Sequence, residues 1–284
     1  MKLKDRVAII TGGGRGIGEA IALEMAREGA NLTLVSRTFQ EVENVAKSAK
    51  KYGVTALPIK GDISEEKAVE EAIKRTIEKY SKIDILVNCA GILGPIGRFD
   101  QNDWREWIYT LNVNFFGSLM FIRKVIPHMI ERKYGKIINL SGGGSTSPLP
   151  NFTAYGASKA AMARMTETLA QEYKDFNIDI NAIAPGAVNT KMFDQMLAAG
   201  ETAGKEYLTK MLAQKESGGN PRRLAAKLAV YLASSDSDGL TGKLISAHWD
   251  DWKNFKVGQN RELSKSPLYT LRRIDNMQFS EKKD

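Results

Sequence analysis

Short apolar runs alternate with helix-length stretches along most of this chain, and that alternation limits its fold more than any other feature. Residues 7–10, 31–35, 55–59, 83–87, 136–140, 178–183 and 243–246 are dominated by aliphatic and β-branched side chains. Most are apolar at successive positions, as strands buried on both faces are. Between them, 16–28, 38–52, 64–80, 102–133, 153–175 and 221–234 carry apolar residues at helical spacing. Strand and helix in strict succession predict an α/β fold: one doubly wound domain, a seven-stranded parallel sheet with helices on both faces. At 284 residues and 43% hydrophobic content the chain can bury one sizeable core. Residues 1–248 are assigned to that domain, with a partly helical, methionine-containing insert at about 191–219. Residues 249–284 form an aromatic and charged C-terminal extension.

Composition narrows the function. The formal charge is +8, but 41 lysines and arginines are interleaved with 33 acids and gather only into pairs such as Arg222-Arg223 and Arg272-Arg273. A basic surface without a run or stripe is a solvated surface, so no nucleic-acid partner is expected. A charged start, Met1 to Arg6, leads into an apolar run too short for a signal-peptide core, and no run approaches membrane-spanning length. A soluble, cytoplasmic protein is expected. With one cysteine, Cys89, and two distant histidines, His128 and His248, neither a disulfide nor a metal site is expected.

The first predicted strand runs directly into Thr11-Gly12-Gly13-Gly14-Arg15-Gly16-Ile17-Gly18, which opens a helix. Glycines at such a junction allow a tight turn, let a pyrophosphate approach the main chain, and place it at the positive end of the helix. The spacing is not GxGxxG. Nor is it a P-loop, because Glu19 stands where a lysine would be needed.

The turn resembles the TGxxxGxG cofactor motif of the short-chain dehydrogenase/reductase family, and the resemblance recurs in order over about 1–246. Asp62, followed by Ile63, comes after the third strand, where the family's aspartate holds the adenine amino group. Asn88-Cys89-Ala90-Gly91 resembles the family's NNAG, with cysteine for the second asparagine. Asn114 is similar to the catalytic asparagine, and Tyr155-Gly156-Ala157-Ser158-Lys159 matches YxxxK. Pro185-Gly186-Ala187-Val188-Asn189-Thr190 matches the PGxxxT segment that flanks the nicotinamide. The resemblance implies a Rossmann-type fold that binds NAD(P) through Gly12, Gly14, Arg15, Gly16, Ile17, Gly18, Ser36, Arg37, Asp62, Ile63, Asn88, Ala90, Gly91, Tyr155, Lys159, Pro185, Gly186, Val188 and Thr190. It implies hydride transfer between an alcohol and a carbonyl compound. It further implies that Lys159 binds the nicotinamide ribose, that Asn114 supports a proton-passing water, and that helices 102–133 and 153–175 form the interface of a homodimer or homotetramer.

Elementary chemistry accounts for the Tyr155–Lys159 spacing. Positions i and i+4 share one helix face. The ammonium therefore lies near the phenol and, together with the positive ring of oxidised nicotinamide, is expected to draw its pKa from about 10 toward neutrality, so that Tyr155 acts as general acid in reduction and general base in oxidation. Cofactor choice is argued from the end of the second strand, Val35-Ser36-Arg37-Thr38, which offers no carboxylate for a ribose 2′-hydroxyl. Arg37, and secondarily Arg15, suit a 2′-phosphate, so NADP is expected ahead of NAD.

Two departures from the family matter. Its members place a serine thirteen residues before the catalytic tyrosine, and that position here is Gly142. Ser141 is the expected substitute, aimed at Tyr155 by a one-residue bulge, with Ser145 as runner-up. Instead of the usual closing Asp-Gly-Gly, the chain reads Ala247-His248-Trp249-Asp250-Asp251-Trp252. The insert, with Met192, Phe193, Met196, Leu197, Tyr207, Leu208, Met211 and Leu212, suits an amphipathic lid over an apolar pocket for a small carbonyl or alcohol substrate. Alternatives from other classes are a cofactor-binding regulator or scaffold without turnover, a polyanion-binding protein, and, ranked last, a G-x-S-x-G hydrolase.

Overall fold

The computed structural model describes residues 1–273. The seven apolar runs form β1 (Val7–Thr11), β2 (Asn31–Ser36), β3 (Ala56–Lys60), β4 (Ile85–Asn88), β5 (Gly135–Leu140), β6 (Ile178–Ala184) and β7 (Leu244–Ser246). All pair in parallel, in the order β3-β2-β1-β4-β5-β6-β7. The helices are α1 (Gly16–Arg27), α2 (Phe39–Ala49), α3 (Glu66–Tyr80), α4 (Trp104–Leu111), α5 (Ser118–Arg132), α6 (Thr153–Tyr173), α7 (Lys191–Ala198), α8 (Lys205–Ser217), α9 (Arg222–Ala233) and α10 (Asn260–Lys265). The strand order reverses between β1 and β4, which opens a crevice at the carboxyl ends of these strands.

Alternation along each strand divides the core into two layers. On β1, Ala8 and Ile10 pack with α1, α2 and α9 through residues such as Met25, Val42 and Leu228. Ile9 packs on the other side with α3, α5 and α6 through Val69, Phe121 and Ala170. Both faces are dry, which explains why the strands read as continuous apolar runs.

The structure corrects the sequence reading over 102–133. One long helix is expected there; α4 instead passes through a π-helical step, Asn112–Gly117, before α5 begins. Apolar spacing continues across the step, so periodicity does not reveal it. The step contains Asn114 and Gly117. A Cβ on Gly117 would stand 2.7 Å from the Ile63 carbonyl oxygen, so the missing side chain lets the helix press against the turn after β3. Among the described residues no helix is long and apolar enough to cross a membrane.

The extension is fastened to the domain. Its residues lie along β7, the edge strand, where the Leu244 amide donates to the Tyr269 carbonyl at 2.8 Å. Lys243 is fully buried, and its ammonium donates to the carbonyls of Ser266 (2.7 Å) and Leu268 (3.0 Å). Trp252 is buried against Tyr231. The tail thus covers an otherwise open sheet edge. Its last stretch, 274–284, lies outside the described residues.

Candidate active site

The turn between β1 and α1 is built for close approach of main chains. A Cβ on Gly12 would stand 2.8 Å from the Ala90 backbone, and one on Gly18 would stand 2.1 Å from the Gly12 carbonyl oxygen. Gly12 and Gly16 also have φ of +65° and +60°, left-handed values that disfavour any side chain. Arg15 precedes α1 without a side-chain hydrogen bond to the helix's first amides, which leaves those donors for a ligand. Across the crevice, the Thr190 methyl lies 3.6 Å from where a Cβ on Gly16 would sit, so the glycine turn and the segment 185–190 form opposite walls. These features fit a dinucleotide pyrophosphate. Gly18→Ala should destabilise the fold by about 1–3 kcal/mol, because the clash is with backbone, and should weaken dinucleotide binding. Thermal melts and a cofactor titration check both; an unshifted melt with normal binding would remove this account of the turn.

The expected cofactor residues divide into those that face the crevice and those that support it. Thr11, which sequence reasoning missed, accepts hydrogen bonds through Oγ1 from the amides of Cys89 (3.1 Å) and Ala90 (3.2 Å), tying β4's end to β1's. Asn88 is buried and its side chain reaches away from the turn: Nδ2 donates to Asn139 Oδ1 at 2.9 Å, and Asn139 Nδ2 donates to Thr166 Oγ1 at 2.9 Å. The Asn88 amide is thus tied to α6 through β5. Thr190 caps α7, accepting from the Phe193 amide at 3.4 Å. Gly186 has φ of +82° and packs beneath Asn220 and His248.

At the far end of the crevice, Arg37 and Asp62 stand just past the last paired residues of β2 and β3, Ser36 and Lys60. Asp62 Oδ1 accepts from the amide (3.0 Å) and hydroxyl (2.7 Å) of Ser64, and Oδ2 accepts from the Tyr109 hydroxyl at 3.0 Å. Burial pushes this carboxyl up, but the Ser64 and Tyr109 donors and the Arg37 charge outweigh it and leave it below the usual aspartate value. Arg37 donates to the Tyr109 hydroxyl at 3.4 Å, whereas Arg15 is paired with Glu41 at 3.3 Å. Of the two expected phosphate-binding arginines, Arg37 is the one without a carboxylate partner among the described residues.

Tyr155 and Lys159 lie on one face of α6, both buried. The Lys159 ammonium is 5.6 Å from the Tyr155 ring centroid and donates to the Leu140 carbonyl at 2.7 Å. Asn114 joins them through Ser158, to whose hydroxyl its Nδ2 donates at 3.0 Å. The same amide is bound to the Ile92 main chain in both senses, donating to its carbonyl (2.8 Å) and accepting from its N–H (2.7 Å). Ser158 was legible only in hindsight: it sits three residues after Tyr155, on the face that α6 turns toward Asn114.

Of the two charges expected to draw the phenol toward neutrality, the Lys159 ammonium belongs to the protein, and it does not outweigh burial, which pushes Tyr155 up, with the nearby Tyr207 phenol and Cys89 thiol acting in the same direction. Lys159 itself is pulled down to about 8 by burial, with Cys89 opposing weakly. Cys89 is pushed up to about 12 by burial, so the residue standing where the family has asparagine offers a thiol and no thiolate.

The expectation for Ser141 needs correction. No bulge forms, because its amide continues the ladder to the Ile183 carbonyl at 2.9 Å. The Ser141 hydroxyl is turned to the Lys159 carbonyl (3.4 Å), and the Ser145 hydroxyl donates to the Gly142 carbonyl (2.8 Å). Gly142 is the residue that faces the phenol: a Cβ there would stand 2.6 Å from the Tyr155 oxygen.

Over this cluster lies the insert. Met192, Met196 and Tyr207 pack with Leu93, Ile96, Leu149 and Phe152 around Tyr155, the Tyr207 and Phe152 rings 4.9 Å apart. Phe193 and Met211 are buried, while Leu212 is 48% exposed and contributes nothing to the cap. The cap is apolar except for the Tyr207 hydroxyl, which donates only to the Met196 sulfur at 3.6 Å.

Comparison with known proteins places these features in context. The family model for short chain dehydrogenase matches residues 6–200. The chain is 32% identical over 247 residues to 3-oxoacyl-[acyl-carrier-protein] reductase FabG of Thermotoga maritima, covering 86% of this chain and 97% of that protein. It is 36% identical over 247 residues to oxidoreductase UcpA of Salmonella typhimurium, covering 85% and 92%. The solved structure of NAD+-bound xylitol dehydrogenase superposes with a TM-score of 0.81 at 28% identity, covering 87% of this chain and 98% of that one.

Proposed function

The chain belongs to the short-chain dehydrogenase family of oxidoreductases, acting on a CH–OH/carbonyl pair with NAD(P), and from that premise we propose that it is an NADP(H)-dependent reductase or dehydrogenase of a small secondary alcohol and its ketone. The observation that carries the proposal is the buried convergence of Tyr155, Lys159 and Asn114 beside a glycine cradle. When bound, the cofactor supplies or takes the hydride and, when oxidised, a positive charge. Tyr155 gives its phenolic proton to the carbonyl oxygen in reduction and takes it back in oxidation. A phenol raised by burial is fully protonated at neutral pH, which suits proton donation. Lys159 is placed for the nicotinamide ribose and for the phenolate that forms. Asn114 and Ser158 hold the main chain at Ile92 on one side and α6 on the other, and so fix the position of the phenol.

Residues 191–219 serve as the substrate lid within a catalytic domain of 1–248, and their apolar lining favours a mainly hydrocarbon substrate with few polar groups. Ser141 supports the site through its bond to Lys159, rather than by touching substrate. The exposed Trp104, Ile108 and Phe116 along α4 and the π-helical step, with Phe99 in the turn before α4, give an apolar surface suited to a homodimer or homotetramer contact. A panel of ketones, sugars and acyl thioesters with NADPH, followed at the nicotinamide absorbance, tests the activity; cofactor binding without turnover of any carbonyl would instead support a regulator or scaffold.

The cofactor preference rests on Arg37. Arg37→Ala should weaken NADPH by about ten- to a hundredfold, the value of a lost charge-assisted phosphate contact, and leave NADH nearly unchanged. Equal losses for the two cofactors would assign Arg37 another role.

A further inference from the structure

We propose that Tyr109 is a positioning residue for NADPH, a spacer that keeps Arg37 and Asp62 side by side without letting them pair. The inference rests on the NADP(H) reading above. Ser36 and Lys60 form the last pair of β2 and β3, so Arg37 and Asp62, one and two residues further on, emerge together at the rim of the crevice. A guanidinium and a carboxylate placed this way form an ion pair unless something intervenes. A direct pair would occupy the cation meant for the 2′-phosphate.

Tyr109 intervenes from α4. That helix is fixed at its start by Asp103, whose side chain accepts from the Glu106 amide at 2.9 Å. It is fixed again by buried Thr110, against which a Cβ on Gly94 would collide. Tyr109, next in sequence to Thr110, is 38% exposed and reaches over the strand ends. Its hydroxyl is used on both sides, accepting from Arg37 at 3.4 Å and donating to Asp62 Oδ2 at 3.0 Å. The remaining carboxylate oxygen is saturated by Ser64, so the anion is fixed in direction. Arg37 and Asp62 are thus joined through a neutral hydroxyl and not directly, and the Arg37 guanidinium keeps its charge for the 2′-phosphate.

Removing the hydroxyl while keeping the ring tests this. Tyr109→Phe lets Arg37 fall onto Asp62, and the NADPH contact is the one most weakened. The experiment is a fluorescence titration of NADPH and NADH into the parent, Tyr109→Phe, Arg37→Ala and the double variant, with a thermal melt of each. Tyr109→Phe is expected to raise the NADPH Kd about tenfold, the NADH Kd by no more than about threefold, and to leave the melt nearly unchanged. In the Arg37→Ala background it should not change the ratio of the two constants further, because the residues act as one unit. An unchanged ratio in Tyr109→Phe, or equal weakening of both cofactors, overturns the spacer role while Arg37→Ala still reports on the NADP(H) reading. A parent that binds both cofactors alike, with Arg37→Ala equally indifferent, removes the reading and the spacer together.

Discussion

Tyr155→Phe should lower turnover by about a thousandfold or more while the NADPH Kd stays within about twofold of the parent, since a general acid/base contributes a factor of this order and the ring's packing is untouched. The phenyl ring keeps its place among Leu93, Phe152 and Ala203. What disappears is the one hydroxyl that faces Gly142 from α6. The loss should fall on kcat with little change in KM, as it does when an interaction exists only in the transition state. Steady-state kinetics on whichever carbonyl compound the parent reduces, together with a cofactor titration, decide the matter. A variant retaining a tenth of parental turnover would show that the proton comes from elsewhere.

The fold was legible because both faces of the sheet are covered. Strands such as β1 and β4 had to be apolar throughout, and the helices between them had to show one wet face, so the alternation survives in the sequence. The glycine turn was legible for a different reason: Gly12 and Gly18 stand where any Cβ would strike backbone, so the geometry of the turn is written in residue type. What escaped was everything set by direction. That the Asn88 side chain bonds Asn139 across the sheet is not written in its residue type. The hydroxyl of Ser141 lies one residue from the required position and, with the ladder unbroken, on the wrong side of it. Tyr109 and Ser158 gave no signal, since an exposed tyrosine and a helical serine are ordinary until their partners, distant in sequence, are known. The π-helical step escaped because an added residue in a helix does not interrupt an apolar stripe whose members are themselves spaced by three and four.

Lys159→Met should abolish turnover and at the same time make the stability difference from the parent depend on pH, which a simple core defect does not do. Burial holds Lys159 at about 8, against 10.5 for the free side chain. Between those values the unfolded chain binds the proton that the folded chain has released, so the parent gains stability as pH rises through this window. Below pH 8 both states are protonated and the folded state carries the full burden of a buried charge, about 3 kcal/mol. Methionine fills similar volume without that charge, though it leaves the Leu140 carbonyl without its 2.7 Å donor, a loss of about 1–3 kcal/mol. The two effects nearly offset at pH 7, so the variant should be close to the parent there or slightly more stable. By pH 10.5 only the lost hydrogen bond remains, and the variant should be the less stable protein. Denaturant unfolding of both proteins at pH 7, 9 and 10.5 gives the comparison. A stability difference that stays constant across that range would mean that Lys159 titrates at its ordinary value, and the cation beside Tyr155 would then owe nothing to burial.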